Sequence, residues 1–198
     1  GHDTRRLSLG TGWHLPRIGS FGEIIDIDLS VRGDIYHVTN FVNSNGIGSD
    51  SGIRGRIHPL AAVNWRFPLS KQDGRITQTL EPVASFVMSP YGGNPSGIPN
   101  EDSIDLEFDD TNLFSPNRFT GLDRVEGGPR FSYGLKWGAF GKAGGGSSLF
   151  LGQSYRVKSD DTFAEGSGLE DNFSDIVGRV SISPGDFLDL SYRTRLSR

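Results

Sequence analysis

The chain has 198 residues, with 28 Gly, 10 Pro, no Cys, 34% hydrophobic content and a formal net charge of −4, a length that allows one domain or two small ones. Without cysteine it has no disulfide framework, thiolate nucleophile or cysteine-ligated zinc, and its singly scattered basic residues argue against nucleic acid as a partner. No segment approaches 18 consecutive apolar residues, which excludes a membrane-spanning helix; a β-barrel stays open, because a barrel strand needs only every second residue apolar.

The opening "GHDTRRLSLG" lacks the charged head and apolar core of a signal peptide, so it reads as a mature chain or a piece of a larger one. From there the chain resolves with period two into about eight segments. Leu7, Leu9, Trp13 and Leu15 fall opposite Arg6, Ser8, Gly10, Gly12 and His14. Ile25, Ile27, Leu29, Val31 and Ile35 oppose Asp26, Asp28, Ser30, Arg32 and Asp34. Ile53, Ile57, Ala61, Val63, Trp65 and Phe67 oppose Arg54, Arg56, His58, Asn64 and Arg66. Ile76, Leu80, Ala84, Phe86 and Met88 run against Thr77, Thr79, Glu81 and Ser85, with Val83 and Val87 breaking the polar side. Phe131, Tyr133, Leu135 and Trp137 oppose Arg130, Ser132, Gly134 and Lys136. Shorter segments follow around Leu149 and Tyr155, Ile176 and Ile182, and Leu188 and Leu196.

Such alternation means a sheet with one apolar and one polar face. A soluble sandwich turns the apolar face inward, whereas a membrane barrel turns it toward lipid around a wet lumen. The links decide between them. "PRIGSF", "SKQDGR", "GKAGGGSS" and "SPGD" are short; "NFVNSNGIGSDSG", residues 90–122 and "KSDDTFAEGSGLEDNFSD" are long, and the two kinds alternate along the chain. An up-and-down outer-membrane meander predicts this, with tight periplasmic turns and long extracellular loops. The expected fold is therefore all-β: an antiparallel meander of about eight strands within a large transmembrane barrel, with Leu29, Val31, Val63, Trp65, Leu80, Leu135 and Trp137 facing lipid. Trp13, Tyr36, Trp65, Phe67, Phe86, Tyr133, Trp137 and Tyr155 stand toward segment ends, where interfacial aromatic girdles form.

Four stretches point to a family: "TLEP" (Thr79, Leu80, Glu81, Pro82), the pair Pro90 and Tyr91, "IPNEDS" with Pro99, Asp102 and Ser103, and "LFSPNRFTGLDRVE" from Leu113 to Glu126. In this order they resemble the barrel domain of the lipopolysaccharide-assembly outer-membrane protein LptD, also called OstA. The resemblance implies an outer-membrane translocon of a Gram-negative bacterium that assembles lipopolysaccharide in the outer leaflet without catalysis. The partners it implies are lipopolysaccharide, outer-membrane lipid, an LptE-like plug lipoprotein and an LptA-like periplasmic bridge. The bridge would be met through an N-terminal jellyroll that this chain does not contain. With too few strands for that barrel and an end at Ser197 and Arg198 inside an alternating segment, residues 1–198 read as an internal section of it.

The same resemblance makes residues 90–122 an extracellular loop folded into or over the lumen, with Asn112, Leu113, Phe114, Asn117, Arg118, Phe119, Gly121, Asp123 and Arg124 as its motif residues. Asn, Arg and Asp suit a long loop because they bond backbone groups that have no ladder partner. Arg118 and Arg124 are expected to pair with loop or lumen carboxylates, and the alternation of Ile104, Leu106 and Phe108 with Asp105, Glu107 and Asp109 suggests a short strand. The polar-face arginines at 6, 32, 54, 56, 66, 130, 156, 179, 193 and 195 read as partners of lumen aspartates in preference to phosphate ligands.

No cofactor, metal or catalytic residue is expected. The acids at 101, 102, 105, 107, 109 and 110 lack the spacing of a calcium loop, "GLKWGAFGKA" misses the phosphate-loop pattern, and the four histidines show no paired metal spacing. Two alternatives stand beside the translocon reading. One is a generic porin or complete eight-stranded barrel, against which the chain stops on "LSR" without a terminal aromatic. The other is a soluble ligand-binding β-sandwich.

Overall fold

In the computed structural model, which describes residues 3–42, 49–103, 106–160, 162–185 and 187–197, the regular structure is entirely β-strand. The elements are β1 (Asp3–Ile18), β2 (Ile24–Val42), β3 (Ser49–Arg66), β4 (Leu69–Asp73), β5 (Ile76–Met88), β6 (Arg130–Gly141), β7 (Gly146–Arg156), β8 (Ile176–Gly185) and β9 (Leu188–Leu196). All ladders are antiparallel. The sheet order is β1-β2-β3-β5-β6-β7-β8-β9, with β4 also paired to β5.

β3 and β4 are one strand with an interruption. Arg66 faces Val83 and Leu69 faces Leu80 with no change of register. Between them Pro68 has no N–H to donate, and the backbone N–H of Phe67 reaches the Pro82 carbonyl at 3.1 Å. Eight hairpin-linked strands therefore stand where the alternation indicates eight segments. β1 and β9 form the two edges, so these strands make an open stretch of wall and do not close on one another.

Two connections differ from the sequence reading. "SKQDGR" is mostly strand, because β4 runs to Asp73 and leaves only Gly74 and Arg75 as the turn. In "NFVNSNGIGSDSG", pairing continues to Val42 and Ser49 past a register shift between Val38 and Phe41. The very long connection spans residues 89–129, beyond 90–122 at both ends. Its start follows from a pair of prolines. The β3–β5 ladder stops at Ala61 and Met88; Pro59 and Pro90, two residues further on each strand, both lack an N–H. The far half of β3 accordingly pairs with β2 alone.

The two faces separate as the period requires. Leu7, Leu9, Trp13, Ile53 and Ile57 are fully on display, and Leu29, Val31, Val63, Leu80, Leu135 and Trp137 are exposed on the same side. Trp65 points the same way but is only half exposed, its ring stacked on Phe67 at 6.3 Å. On the other face Asp34, Tyr36, Arg56, His58, Ser85, Arg130, Ser132, Ser154 and Arg156 are buried. Tyr36 therefore does not belong to an outer aromatic girdle: its even position puts it with Asp34, and it is fully covered.

What covers this polar face is the 89–129 connection together with residues 157–175. Val83, Phe150 and Val177 of the strands pack with Phe108, Leu113, Phe119, Phe163 and Leu169 of the two loops in one apolar cluster. Val83 breaks the polar alternation because it meets loop side chains, and Val87 is buried on the same face. Gly152 completes the fit, since a Cβ there would run into Leu113. Residues 106–109 are not in a strand; Phe108 is drawn into the cluster instead, and Ile104 and Asp105 lie outside the described residues. The sandwich alternative is overturned, because the Leu, Ile and Trp rows face outward in a single sheet and no second sheet meets them among the described residues.

So large an exposed apolar face predicts that the chain self-associates in aqueous buffer and becomes monodisperse in detergent micelles. Light scattering with and without detergent checks this; a stable monomer in buffer alone would refute the assignment of faces.

Candidate functional site

The inward face holds its loop with arginines drawn from almost every strand. Arg6 of β1 reaches the carboxylates of Asp102 and Asp123 at 2.7 and 2.6 Å. Arg32 of β2 donates to the Leu122 carbonyl at 3.0 Å and to Asp34 at 3.2 Å. Arg56 of β3, buried with Asp34 at 2.6 Å, also donates to the carbonyls of Leu122 at 2.6 Å, Asp123 at 2.9 Å and Gly93 at 3.1 Å. Arg179 of β8 and Arg193 of β9 both meet Asp110, at 3.2 and 3.4 Å. A guanidinium suits this work because its several N–H donors satisfy a carboxylate and loop carbonyls together.

The centre of the arrangement is Glu126, which is completely buried. Arg118 of the same loop donates to it through Nε at 2.9 Å and through a second, shorter bond to Oε1. Arg156 of β7 donates to Oε1 at 2.5 Å, and Arg130 of β6 stands 3.5 Å from the same oxygen. Arg130 also bonds the carbonyls of Ser115 and Pro116. Aromatic faces complete the cage, with Arg156 4.4 Å from the Phe163 ring and Arg118 5.5 Å from that of Phe108. Burial by itself would push the Glu126 carboxyl up; the charges of Arg118 and Arg130 override it and hold the group down at about 2.

Around this centre the loop is stitched by short polar side chains. Asp102 accepts the backbone N–H groups of Leu122 and Asp123, and Asp123 in turn accepts those of Glu101 and Asp102. Burial works against the Asp102 carboxylate, yet these donors and Arg6 hold it well below the usual carboxylate range. Gly121 must be glycine here, since a Cβ would collide with Asp102. Ser103 caps the Arg124 N–H at 3.3 Å and gives its own hydroxyl to Asp102 at 3.0 Å. Asn117 accepts the Glu126 N–H, Asn94 accepts that of Val125, and Asn112 bridges Asp109 and Glu107.

The motif residues are thus brought together with few exceptions. Leu113 is fully buried, Phe114 meets Phe150 edge-on at 6.1 Å and Phe119 stacks on Phe163 at 5.0 Å. "TLEP" stands apart in β5, where Glu81 binds Lys136 of β6 at 2.9 Å and the Pro82 carbonyl bridges the β3–β4 break. Pro99 is buried within the loop. Arg118 pairs with a carboxylate as expected. Arg124 does not: among the described residues no carboxylate lies within ion-pair distance of it, and burial, only partly offset by Asp123, pushes its guanidinium down. The loop acids are spread between Arg6 at one side and Arg179 and Arg193 at the other, and no group of three metal-ligating side chains occurs among the described residues.

The model of the LptD family, "LPS transport system D", matches residues 1–198. The chain belongs to the LptD family. It is 30% identical over 118 residues to the LPS-assembly protein LptD of Acinetobacter baylyi, covering 59% of this chain and 14% of that protein. Against the LptD of a Polaromonas species it is 30% identical over 154 residues, 74% of this chain and 19% of the relative. Against that of Nitrosococcus oceani the figure is 46% over 82 residues, 39% and 11% respectively. The chain thus spans less than a fifth of the length of the curated relatives it matches.

Within this LptD-family sector, sequence reasoning missed the shared carboxylate. Glu126 closes the "LDRVE" motif, and its spacing of four from Arg130 was the available signal. Nothing local points from Arg156 to Glu126, which lies 30 residues away.

Glu126→Gln leaves the buried guanidiniums of Arg118 and Arg130 without a counter-charge and Arg156 with Asp160 alone, and is expected to cost about 3–5 kcal/mol. Arg118→Ala, which leaves Glu126 two arginines, costs about 1–3 kcal/mol; thermal unfolding of the detergent-solubilised protein measures both. Because the folded-state value of Glu126 lies below its ordinary 4.5, its stabilising contribution is complete above about pH 4.5 and is lost as pH falls through about 2. Protection factors of the Val125 and Glu126 N–H groups, corrected for intrinsic exchange, should fall across that window and stay level from pH 7 to 5.

Proposed function

We propose that this chain is a sector of the wall of a large outer-membrane barrel that assembles lipopolysaccharide in the outer leaflet of a Gram-negative bacterium. The observation that carries this reading is the inverted sheet: an apolar face left wholly open, and a polar face closed over by an arginine-held loop. Membership of the LptD family and the similarity to LPS-assembly proteins support it. Apart from β4, which continues β3, the strands have 9 to 19 residues, long enough for a tilted crossing of the hydrocarbon layer, and all the short turns lie at the opposite end of the sheet from the long loops.

On this reading the 89–129 and 157–175 loops are extracellular and fold back over the lumen. They narrow this sector and present a rigid surface to an LptE-like plug lipoprotein seated inside. Lipopolysaccharide arrives through an LptA-like periplasmic bridge docked on a part of the protein outside this chain. The motif residues Asp102, Asn117, Arg118, Gly121 and Asp123 serve transport by holding the loop's shape. The reading involves transport and no chemical conversion.

Two measurements test it. In the complete protein, Leu29→Arg should cost about 2–4 kcal/mol if the residue lies near the bilayer midplane. Asp28→Asn should cost less than about 1 kcal/mol, since that side chain is partly exposed beside His14 and Asn64. Equal effects at the two positions would count against a lipid-facing outer surface. In cells dependent on the variant, Glu126→Gln should lower lipopolysaccharide labelled at the surface of intact cells and raise sensitivity to large hydrophobic antibiotics. A fully folded, correctly inserted Glu126→Gln protein with unchanged surface labelling would contradict the role given to the loop.

A further inference from the structure

A cleft of about 540 Å³ opens between the two long loops, where Tyr91, Ser96, Arg124, Lys158, Ser159 and Asp160 are among its lining residues. Two cations border it. The Arg124 guanidinium has no carboxylate within ion-pair distance among the described residues, and neither has the Lys158 ammonium, which lies 5.9 Å from the Tyr91 ring centre. Asp160, the one carboxylate among the described lining residues, is already engaged: it accepts the N–H and hydroxyl of Thr162 at 3.0 and 2.6 Å, and its second oxygen stands 3.4 Å from Arg156.

That last contact ties the cleft to the buried cluster, where Arg118, Arg130 and Arg156 share the single carboxylate of Glu126. Nη1 of each of these arginines is buried and has no hydrogen-bond partner. Three guanidiniums against Glu126 and Asp160 leave positive charge in excess, and Arg124 and Lys158 add to it. Such an excess favours an anion at the cleft. Asn94 and Asn100 do not compete for the ligand, because their amides hold Val125 and Ser103. The Ser96 and Ser159 hydroxyls on the lining have no partner among the described residues and remain available.

We propose that this cleft is a phosphate-binding site, with Arg124 and Lys158 as the charged ligands and the Ser96 and Ser159 hydroxyls as neutral donors. A phosphate presents several acceptor oxygens and as much as two charges, which matches two cations and two hydroxyls better than a single carboxylate does. The cleft's volume of about 540 Å³ admits a phosphate carried on a larger polar molecule as well as the free ion. The site stands on the loop geometry and not on the transport reading.

The test is calorimetric titration of the complete protein in detergent with inorganic phosphate, N-acetylglucosamine 1-phosphate and N-acetylglucosamine. Both phosphate-bearing probes should bind and the neutral sugar should not; tighter binding of the sugar phosphate assigns a carried phosphate, and equal binding assigns the free ion. Arg124→Gln and Lys158→Gln should each weaken phosphate binding by about tenfold, with unchanged thermal unfolding, since neither side chain makes an ion pair that holds the fold. No phosphate binding at millimolar concentration, or equal binding by wild type and the double variant, overturns the proposal. Surface labelling of lipopolysaccharide in cells carrying the same variants is a separate readout: it bears on the transport role, whereas the titration alone decides the site.

Discussion

One buried carboxylate shared by three arginines organises this molecule. A sheet that turns its apolar side outward has to build its interior from the polar side, and polar groups withdrawn from water are costly unless they are paired. Glu126 meets that requirement for Arg118, Arg130 and Arg156 together. In doing so it ties the end of a 41-residue connection, residues 89–129, to two adjacent strands. Removing the carboxylate would leave like charges facing each other in a closed space, which is why so much of the loop's order rests on this residue.

The same logic extends outward from the centre. Arginines of β1, β2, β3, β8 and β9 each reach the loop, by its carboxylates at 102, 110 and 123 or by its carbonyls at 122 and 123. Ordering so long a connection has a large entropic cost, which no single exposed ion pair offsets. Many anchors spread over the width of the sheet do, together with the apolar cluster of Phe108, Leu113, Phe119 and Phe163 against Phe150 and Val177. The loop is therefore a second layer of the domain and not a mobile appendage. Its backbone is satisfied by its own Asp, Asn and Ser side chains where a strand would have used a ladder.

Much of the fold was legible because a strand has a period of two. Leu29 against Asp28, or Leu135 against Lys136, sorts the faces from sequence alone, and the alternation of short and long links orders the hairpins. Local rules failed where tertiary contacts outweighed them. Leu106 and Phe108 alternate with acids like a strand, yet burial of Phe108 in the cluster decides their conformation. Tyr36 sits near a segment end like an interfacial aromatic, yet its parity puts it beneath the loop, in contact with Arg56. The "SKQDGR" stretch looks like a loop by composition, and pairing with β5 makes most of it strand.

The sequence by itself determined the apolar and polar faces, the meander and the family, since these depend on periodicity, spacing and short motifs that neighbouring residues carry. Only the tertiary structure decided which partner each polar-face arginine takes. Arg6 meets Asp102, Arg179 meets Asp110 and Arg156 meets Glu126 across separations that no local pattern records. It also decided that Arg124 stands at the edge of a cleft with no carboxylate within ion-pair distance among the described residues. Charges are interchangeable in a sequence, and their partners are chosen only when the loop folds back across the sheet and brings particular atoms within reach.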